Sequence, residues 1–232
     1  KAKVIEMNAI ILAAGKGERL KPLTHMVPKP LIEVSGKTLL ERNINRLDEF
    51  GVRNIIVNGS KMGEKIESFL KKYEQSAMSI KFINEGEEPL GTAGAIFNII
   101  DSGLITDEQF WVINADIITS FSFKGIFLKP GIMGHVVLVP NPEHNSNGDF
   151  CLDGDRVTIS SNQRYTFSGI SFFSINCFKH SSKKYFSLAD LLNEYIDKKM
   201  ITGELFQGDW LDVGTANRLI QAEKIFTRKS DE

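Results

Sequence analysis

A four-residue apolar run, Ala9-Ile10-Ile11-Leu12, passes directly into Ala13-Ala14-Gly15-Lys16-Gly17, and this junction constrains the fold more than any other stretch. A short, uniformly apolar run bounded by small residues reads as a strand buried on both faces, as in a parallel sheet covered by helices. Gly15 and Gly17 remove side chains where that strand ends, so backbone N–H groups can close on an anion. Lys16, Arg19, Lys21 and Lys29 follow the turn and add positive charge. The expected ligand is phosphate.

The chain then alternates. Thr38-Leu39-Leu40-Glu41 has capping-box form, and Leu40, Ile44 and Leu47 follow at helical spacing up to a stop near Gly51. Residues 54–57 form a β-rich run, Ile66, Phe69, Leu70 and Tyr73 a helical stripe, and residues 79–83 a strand. Residues 92–100 read as a helix and 110–114 as a buried strand. The expected fold class is α/β, a Rossmann-like doubly wound mixed sheet in a single domain over residues 1–232. The second half is less regular. Strands are expected at 135–139 and 169–175 and a short one at 210–213, with a polar loop over 140–148. Leu188, Leu191, Leu192, Tyr195 and Ile196 mark one helix, and Leu219, Ala222 and Phe226 another.

With 232 residues and a net charge of −1, the chain lacks the basic surplus of a general nucleic-acid binder. Cys151 and Cys177 stand far apart, and His25, His135, His144 and His180 show no ligand spacing, so no zinc site or disulfide framework is implied. No apolar run reaches membrane-spanning length and no secretory signal is visible; a cytoplasmic location without nucleic-acid or membrane partners is expected. Lys1–Glu6 precede Met7, a candidate start.

Two common phosphate loops are excluded. A dinucleotide fingerprint needs a third glycine where Leu20 stands, and no window supplies Gly-x-x-x-x-Gly-Lys-Ser/Thr. The segment instead resembles the signature of the sugar-1-phosphate nucleotidylyltransferases, Gly-x-Gly-x-Arg-Leu-x-Pro-Leu-Thr followed by Pro-Lys-Pro. It is carried here by Gly15, Gly17, Arg19, Leu20, Pro22, Leu23, Thr24 and Pro28-Lys29-Pro30. The resemblance implies a sheet of the nucleotide-diphospho-sugar transferase type. Its nucleotide-binding half would span about 7–120 and its sugar-binding half about 121–232.

Two acids stand in apolar surroundings. Asp116 follows the run 110–114, at the carboxyl edge where open α/β sheets bind ligands, and Asp212 lies inside Trp210-Leu211-Asp212-Val213-Gly214-Thr215. A carboxylate in such a setting needs a cationic partner, and an N-cap or ion-paired aspartate is the plain structural alternative for each. In the resembled family the matching segments supply the magnesium ligands, so Asp116 and Asp212 are the expected Mg2+ sites; Ala115 stands where glycine is usual. The implied catalytic residues are Arg19, Lys29 and Asp116. The implied nucleotide contacts are Leu12, Ala13, Ala14, Gly15, Lys16, Gly17, Glu18, Arg19, Lys29, Glu88, Gly91, Thr92 and Asn114. Asp149, Ser168 and Gly169 would contact the sugar.

The implied partners are a nucleoside triphosphate and a sugar 1-phosphate. Within the family, segments 141–150 and 166–171 look like the uridylyltransferases that act on N-acetylmuramate 1-phosphate in cell-wall recycling. Glu88 to Gly94 is more similar to the mannose-1-phosphate guanylyltransferases, because uridylyltransferases tend to have glutamate where Gly91 stands. UTP is the expected nucleotide, with GTP and mannose 1-phosphate as the alternative. A non-catalytic nucleotide-sugar sensor is disfavoured: it would need affinity, but not the charge-stabilising set Arg19, Lys29, Asp116 and Asp212.

Overall fold

The computed structural model describes residues 7–88, 90–124, 126–160, 163–179 and 186–230; Lys1–Glu6, Pro89 and His180 lie outside the described residues, as does the side chain of Phe226. In chain order the elements begin with β1 (Met7–Leu12), β2 (Glu33–Val34), β3 (Lys37–Thr38), α1 (Leu39–Glu49), β4 (Val52–Gly59), α2 (Gly63–Leu70) and β5 (Ser79–Asn84). They continue with α3 (Thr92–Asp101), β6 (Gln109–Asn114), β7 (Ile117–Thr119), β8 (Gly134–Val139), β9 (Cys151–Asp153), β10 (Arg156–Thr158) and β11 (Thr166–Ser174). The last are α4 (Leu188–Asp197), β12 (Ile201–Leu205), β13 (Trp210–Asp212) and α5 (Ala216–Ser230). The chain is α/β, with a mixed sheet and flanking helices.

Contacts divide it into two compact units, one of Lys1–Pro89, Asn114–Phe123 and Asp209–Glu232, the other of Leu90–Ile113 and Lys124–Gly208. The expected contiguous halves do not coincide with these units. The physical reason is strand pairing: β13 returns to lie antiparallel to β7, Asp212 opposite Ile117, which commits the carboxyl-terminal segment to the first unit.

In the first unit β1, β4 and β5 run parallel in the order β5-β4-β1. The apolar runs of β1 and β4 are buried, with Ala9, Ile10, Ile55 and Val57 all inaccessible, whereas those of the edge strand β5 are half-buried. Thr38 caps α1 as its sequence requires, its hydroxyl accepting from Glu41 N at 3.0 Å. A second apolar cluster joins Leu20, Ile32, Val34, Leu39, Ile118, Val213 and Ala222. Each such aliphatic side chain contributes roughly 1.5–3 kcal/mol when fully buried, so Leu20 and Val213 anchor the turn and β13 to one floor.

In the second unit the order is β6-β11-β8-β12-β10-β9, with β11 antiparallel to both β6 and β8, and β12 parallel to β8. Its core is aromatic: Trp111 packs on Phe172 with centroids 4.9 Å apart, and Phe173 meets Phe178 edge-on at 5.4 Å. The sequence did not announce β12, because Gly203 interrupts its strand pattern. The structure supplies the cause: a Cβ there would lie 2.8 Å from Val157 Cγ2 and 3.0 Å from Val136 O.

Candidate active site

The end of β1 is pinned residue by residue. Leu12 O accepts from Ala115 N at 3.0 Å, Ala13 N donates to Asn58 Oδ1 at 2.6 Å, and Ser60 Oγ donates to Ala14 O at 2.7 Å. Asn58 in turn donates to Glu85 Oε1 at 2.5 Å. Asn58 and Ser60, at the end of β4 and just beyond it, thus fix where the turn begins; nothing in their sequence setting marks them.

The two glycines of the turn differ. Gly17 has φ +65°, and a Cβ on it would lie 2.9 Å from Thr24 Cγ2 and 3.3 Å from Lys29 Cβ. Thr24 is buried and donates its hydroxyl to Gly17 O at 2.9 Å, which ties the turn to the segment leading to Lys29. A Cβ on Gly15 would meet nothing within 4 Å. Around the turn Lys16 pairs with the exposed Glu88 at 2.8 Å, and Arg19 is exposed. The hydrogen bond from Lys21 holds the Glu18 carboxyl below its ordinary value.

Pro28 and Pro30 are buried and Lys29 opens a single 3-10 turn, Lys29–Leu31. The flanking prolines bar an α-helix, as expected, yet allow this one turn, in which Leu31 N donates to Pro28 O at 2.8 Å. Lys29 Nζ pairs with Asp116 Oδ2. Asp116 follows Asn114, the last residue of β6, and the buried Ala115, whose carbonyl accepts from Asn43 Nδ2 at 3.1 Å. Val213 N donates to Asp116 O at 2.8 Å, so β13 sets Asp212 beside Asp116.

Asp212 is itself paired. Arg218 Nη1 lies 3.0 Å from its Oδ1 and 2.9 Å from its Oδ2. A Cβ on Gly214 would lie 2.0 Å from Arg218 Nη2 and 3.4 Å from Arg19 Nη2, so both guanidinium groups border Gly214. The structure therefore brings together Arg19, Lys29, Asp116 and Asp212, adding Arg218, which the sequence reading missed. Arg218 occupies an ordinary polar position of a helix, and only the fold turns it inward.

The remaining sequence-derived residues lie in the second unit. Gly91 (φ +75°, ψ 165°) precedes Thr92, the first residue of α3, and Ala95 N donates to Gly91 O at 2.9 Å. Asp149 Oδ2 accepts from Phe167 N at 2.8 Å and Asn145 Nδ2 at 3.1 Å. Ser168 is buried with its hydroxyl accepting from Ile170 N at 3.1 Å, and Gly169 (φ +78°) lies in the register shift between Phe167 and Ile170.

The donor set can be tested against magnesium. Among the described residues no three His, Cys, Asp or Glu side chains converge as a metal centre. Asp116 and Asp212 retain 25% and 22% side-chain exposure and offer hard oxygen donors. That suits a cation held by one or two carboxylates and otherwise by water and phosphate. Lys29 pairs with Asp116 and Arg218 with Asp212, while Arg19 borders Gly214.

A glycine turn after a parallel strand, two carboxylates and three cations together offer what phosphoryl-group chemistry requires of an α/β enzyme. A family model described as nucleotidyl transferase matches residues 8–139. N-acetylmuramate alpha-1-phosphate uridylyltransferase of Neisseria meningitidis serogroup B is 35% identical over 94% of this chain and 98% of its own length. The mannose-1-phosphate guanylyltransferase catalytic subunit beta of Danio rerio is 37% identical over 64% of this chain but 42% of its own length. Among solved structures, HddC from Yersinia pseudotuberculosis complexed with GMP-PN is similar at TM-score 0.77 and 25% identity, covering 95% of this chain and 99% of that one. The chain belongs to the nucleotidyl transferase family and is a sugar-1-phosphate nucleotidylyltransferase.

Proposed function

We propose that this enzyme joins N-acetylmuramate 1-phosphate to UTP, releasing pyrophosphate, and that it serves cell-wall recycling in the cytoplasm. The observation that carries the chemistry is the convergence of Lys29–Asp116 and Arg218–Asp212, with Arg19 bordering the same glycine. In the reaction a phosphate oxygen of the sugar 1-phosphate bonds to the α-phosphorus of the triphosphate. The bond from that phosphorus to the bridging oxygen breaks, and pyrophosphate leaves with the electron pair. Two polyanions must meet within a few ångströms, a repulsion of several kcal/mol at a moderate effective dielectric. The residues' task is therefore charge neutralisation and alignment.

Gly15 and Gly17 give the triphosphate backbone N–H groups, Arg19 takes the charge developing on the leaving phosphates, and Lys29 holds the α-phosphate and the sugar phosphate. Lys29 exchanges Asp116 for phosphate when substrates arrive, which frees that carboxylate. Asp116 and Asp212 would hold magnesium, which when bound supplies neutralisation between the reacting phosphates. The family resemblance assigns nucleotide contact to each of Leu12–Ala14, Glu88, Gly91, Thr92 and Asn114, and sugar contact to each of Asp149, Ser168 and Gly169. Asp149 and Ser168 also accept from Phe167 N and Ile170 N, which supports a part for both in shaping the bulged strand.

The choice of UTP and N-acetylmuramate 1-phosphate is supported by the Neisseria relative, whose similarity runs along nearly the full length of both chains. A specific observation favours a second reading, GTP with mannose 1-phosphate. Gly91 occupies a backbone region open essentially to glycine alone, so the base segment cannot carry glutamate there unchanged. The guanylyltransferase similarity points the same way. A panel of UTP and GTP against muramate, glucose and mannose 1-phosphates, read as pyrophosphate release, tests the choice. UTP with N-acetylmuramate 1-phosphate is the expected best pair; GTP with mannose 1-phosphate as best would overturn it.

A further inference from the structure

Arg218 is 7% exposed, yet among the described residues its Nε and Nη2 have no hydrogen-bond partner. Its Nη1 engages Asp212, both of whose carboxylate oxygens lie within 3.0 Å of it. A buried guanidinium with unused donors is a poor choice for stability, because replacing a buried ion pair by apolar packing is commonly neutral or favourable. Its two idle nitrogens are sealed from solvent, so neither offers a donor to substrate. What it does touch is a carboxylate at the centre of the site.

We infer that Arg218 is a positioning residue: it fixes the rotamer of Asp212 so that this carboxylate meets a divalent cation, a role that rests on the metal reading of Asp116 and Asp212. The sequence of contacts is short. The residue 216–230 helix carries Arg218, Arg218 grips Asp212, and β13 sets Asp212 beside Asp116. Gly214 completes the device. A Cβ at this position would fall 2.0 Å from Arg218 Nη2, so the guanidinium can lie against this strand end only because residue 214 lacks a side chain. Gly214 does not require a left-handed backbone, so alanine there should displace the Arg218 head while leaving the main chain intact. Losing Arg218 also removes a positive charge from the cation's neighbourhood. Loss of orientation is expected to outweigh that relief, since removing a group that orients a metal ligand typically lowers affinity or activity by about 10–100-fold.

The test compares wild type with Arg218→Met, Arg218→Lys, Gly214→Ala and Asp212→Asn. Binding of Mn2+ in the presence of a non-hydrolysable nucleoside triphosphate is measured by electron paramagnetic resonance, alongside thermal unfolding. Arg218→Met should weaken Mn2+ by about 10–100-fold and broaden its resonance. Arg218→Lys should recover part of the loss, Gly214→Ala should fall between wild type and Arg218→Met, and the unfolding temperature should not track this order. Wild-type Mn2+ affinity in Arg218→Met, with Asp212→Asn impaired, would overturn the inference and leave the metal reading standing. Wild-type affinity in Asp212→Asn would instead overturn the metal reading itself. If Mn2+ affinity simply followed the unfolding temperature across the set, Arg218 would be a packing residue and the inference wrong.

Discussion

Substituting alanine at each glycine of the turn should separate two reasons for having glycine. At Gly17 the backbone is left-handed (φ +65°, ψ 24°), which costs about 1–2 kcal/mol for a residue with a Cβ. The new Cβ would also stand 2.9 Å from Thr24 Cγ2. Turning Thr24 away would break its bond to Gly17 O, a further loss of roughly 0.5–1.5 kcal/mol. Gly17→Ala should therefore destabilise the protein by roughly 1.5–3.5 kcal/mol, the sum of these terms. Thr24→Ser removes the clashing methyl and keeps the hydroxyl, so in that background the cost should fall to the backbone part, about 1–2 kcal/mol. At Gly15 the added Cβ meets nothing, and alanine should stabilise slightly, by about 0.4–1 kcal/mol, through the unfolded chain. Yet the open space beside Gly15 is where triphosphate is proposed to lie, so Gly15→Ala should weaken nucleotide binding by about tenfold or more, ~1.4 kcal/mol. Urea unfolding gives the first quantity and calorimetric titration with nucleoside triphosphate the second. Equal destabilisation by both alanines, or unchanged triphosphate affinity in Gly15→Ala, would refute the reasoning.

Two further outcomes are expected. Lys29→Ala should lower turnover by roughly 10²–10³-fold, the scale for one preorganised electrostatic contact, with little change in unfolding temperature; a collapse in stability would make Lys29 structural. Gly91→Ala should cost about 1–3 kcal/mol in urea unfolding, because its φ of +75° and ψ of 165° lie where L-residues are strained; a neutral result would remove the argument that this segment cannot carry glutamate.

Much of the site was legible because its chemistry is local in sequence. Gly15 to Arg19 and the Pro-Lys-Pro segment announce themselves by composition, and Asp116 and Asp212 by standing in apolar surroundings. Arg218 was not legible: cations at polar positions of a helix are ordinary, and only tertiary packing buries this one to 7% exposure. Asn43, Asn58 and Ser60, which hold Ala115, Ala13 and Ala14, were hidden for the same reason, since each bond spans more than forty residues. Helices α1, α3 and α4 were found to within about two residues, because each shows a full apolar period, whereas β11 begins at Thr166, three residues before the expected start. Short pieces such as β7 and the β9–β10 hairpin are too brief to show one, and their pairing depends on partners distant in the chain.

The central claim is that nucleotidyl transfer runs through a divalent cation held by Asp116 and Asp212. Its most direct test is pyrophosphate release from UTP and N-acetylmuramate 1-phosphate by wild type with and without chelator, beside folded Asp116→Asn. Chelator should abolish release, readdition of magnesium should restore it, and Asp116→Asn should lose most activity at an unchanged unfolding temperature. Full activity of Asp116→Asn, or release that persists in chelator, would contradict the account.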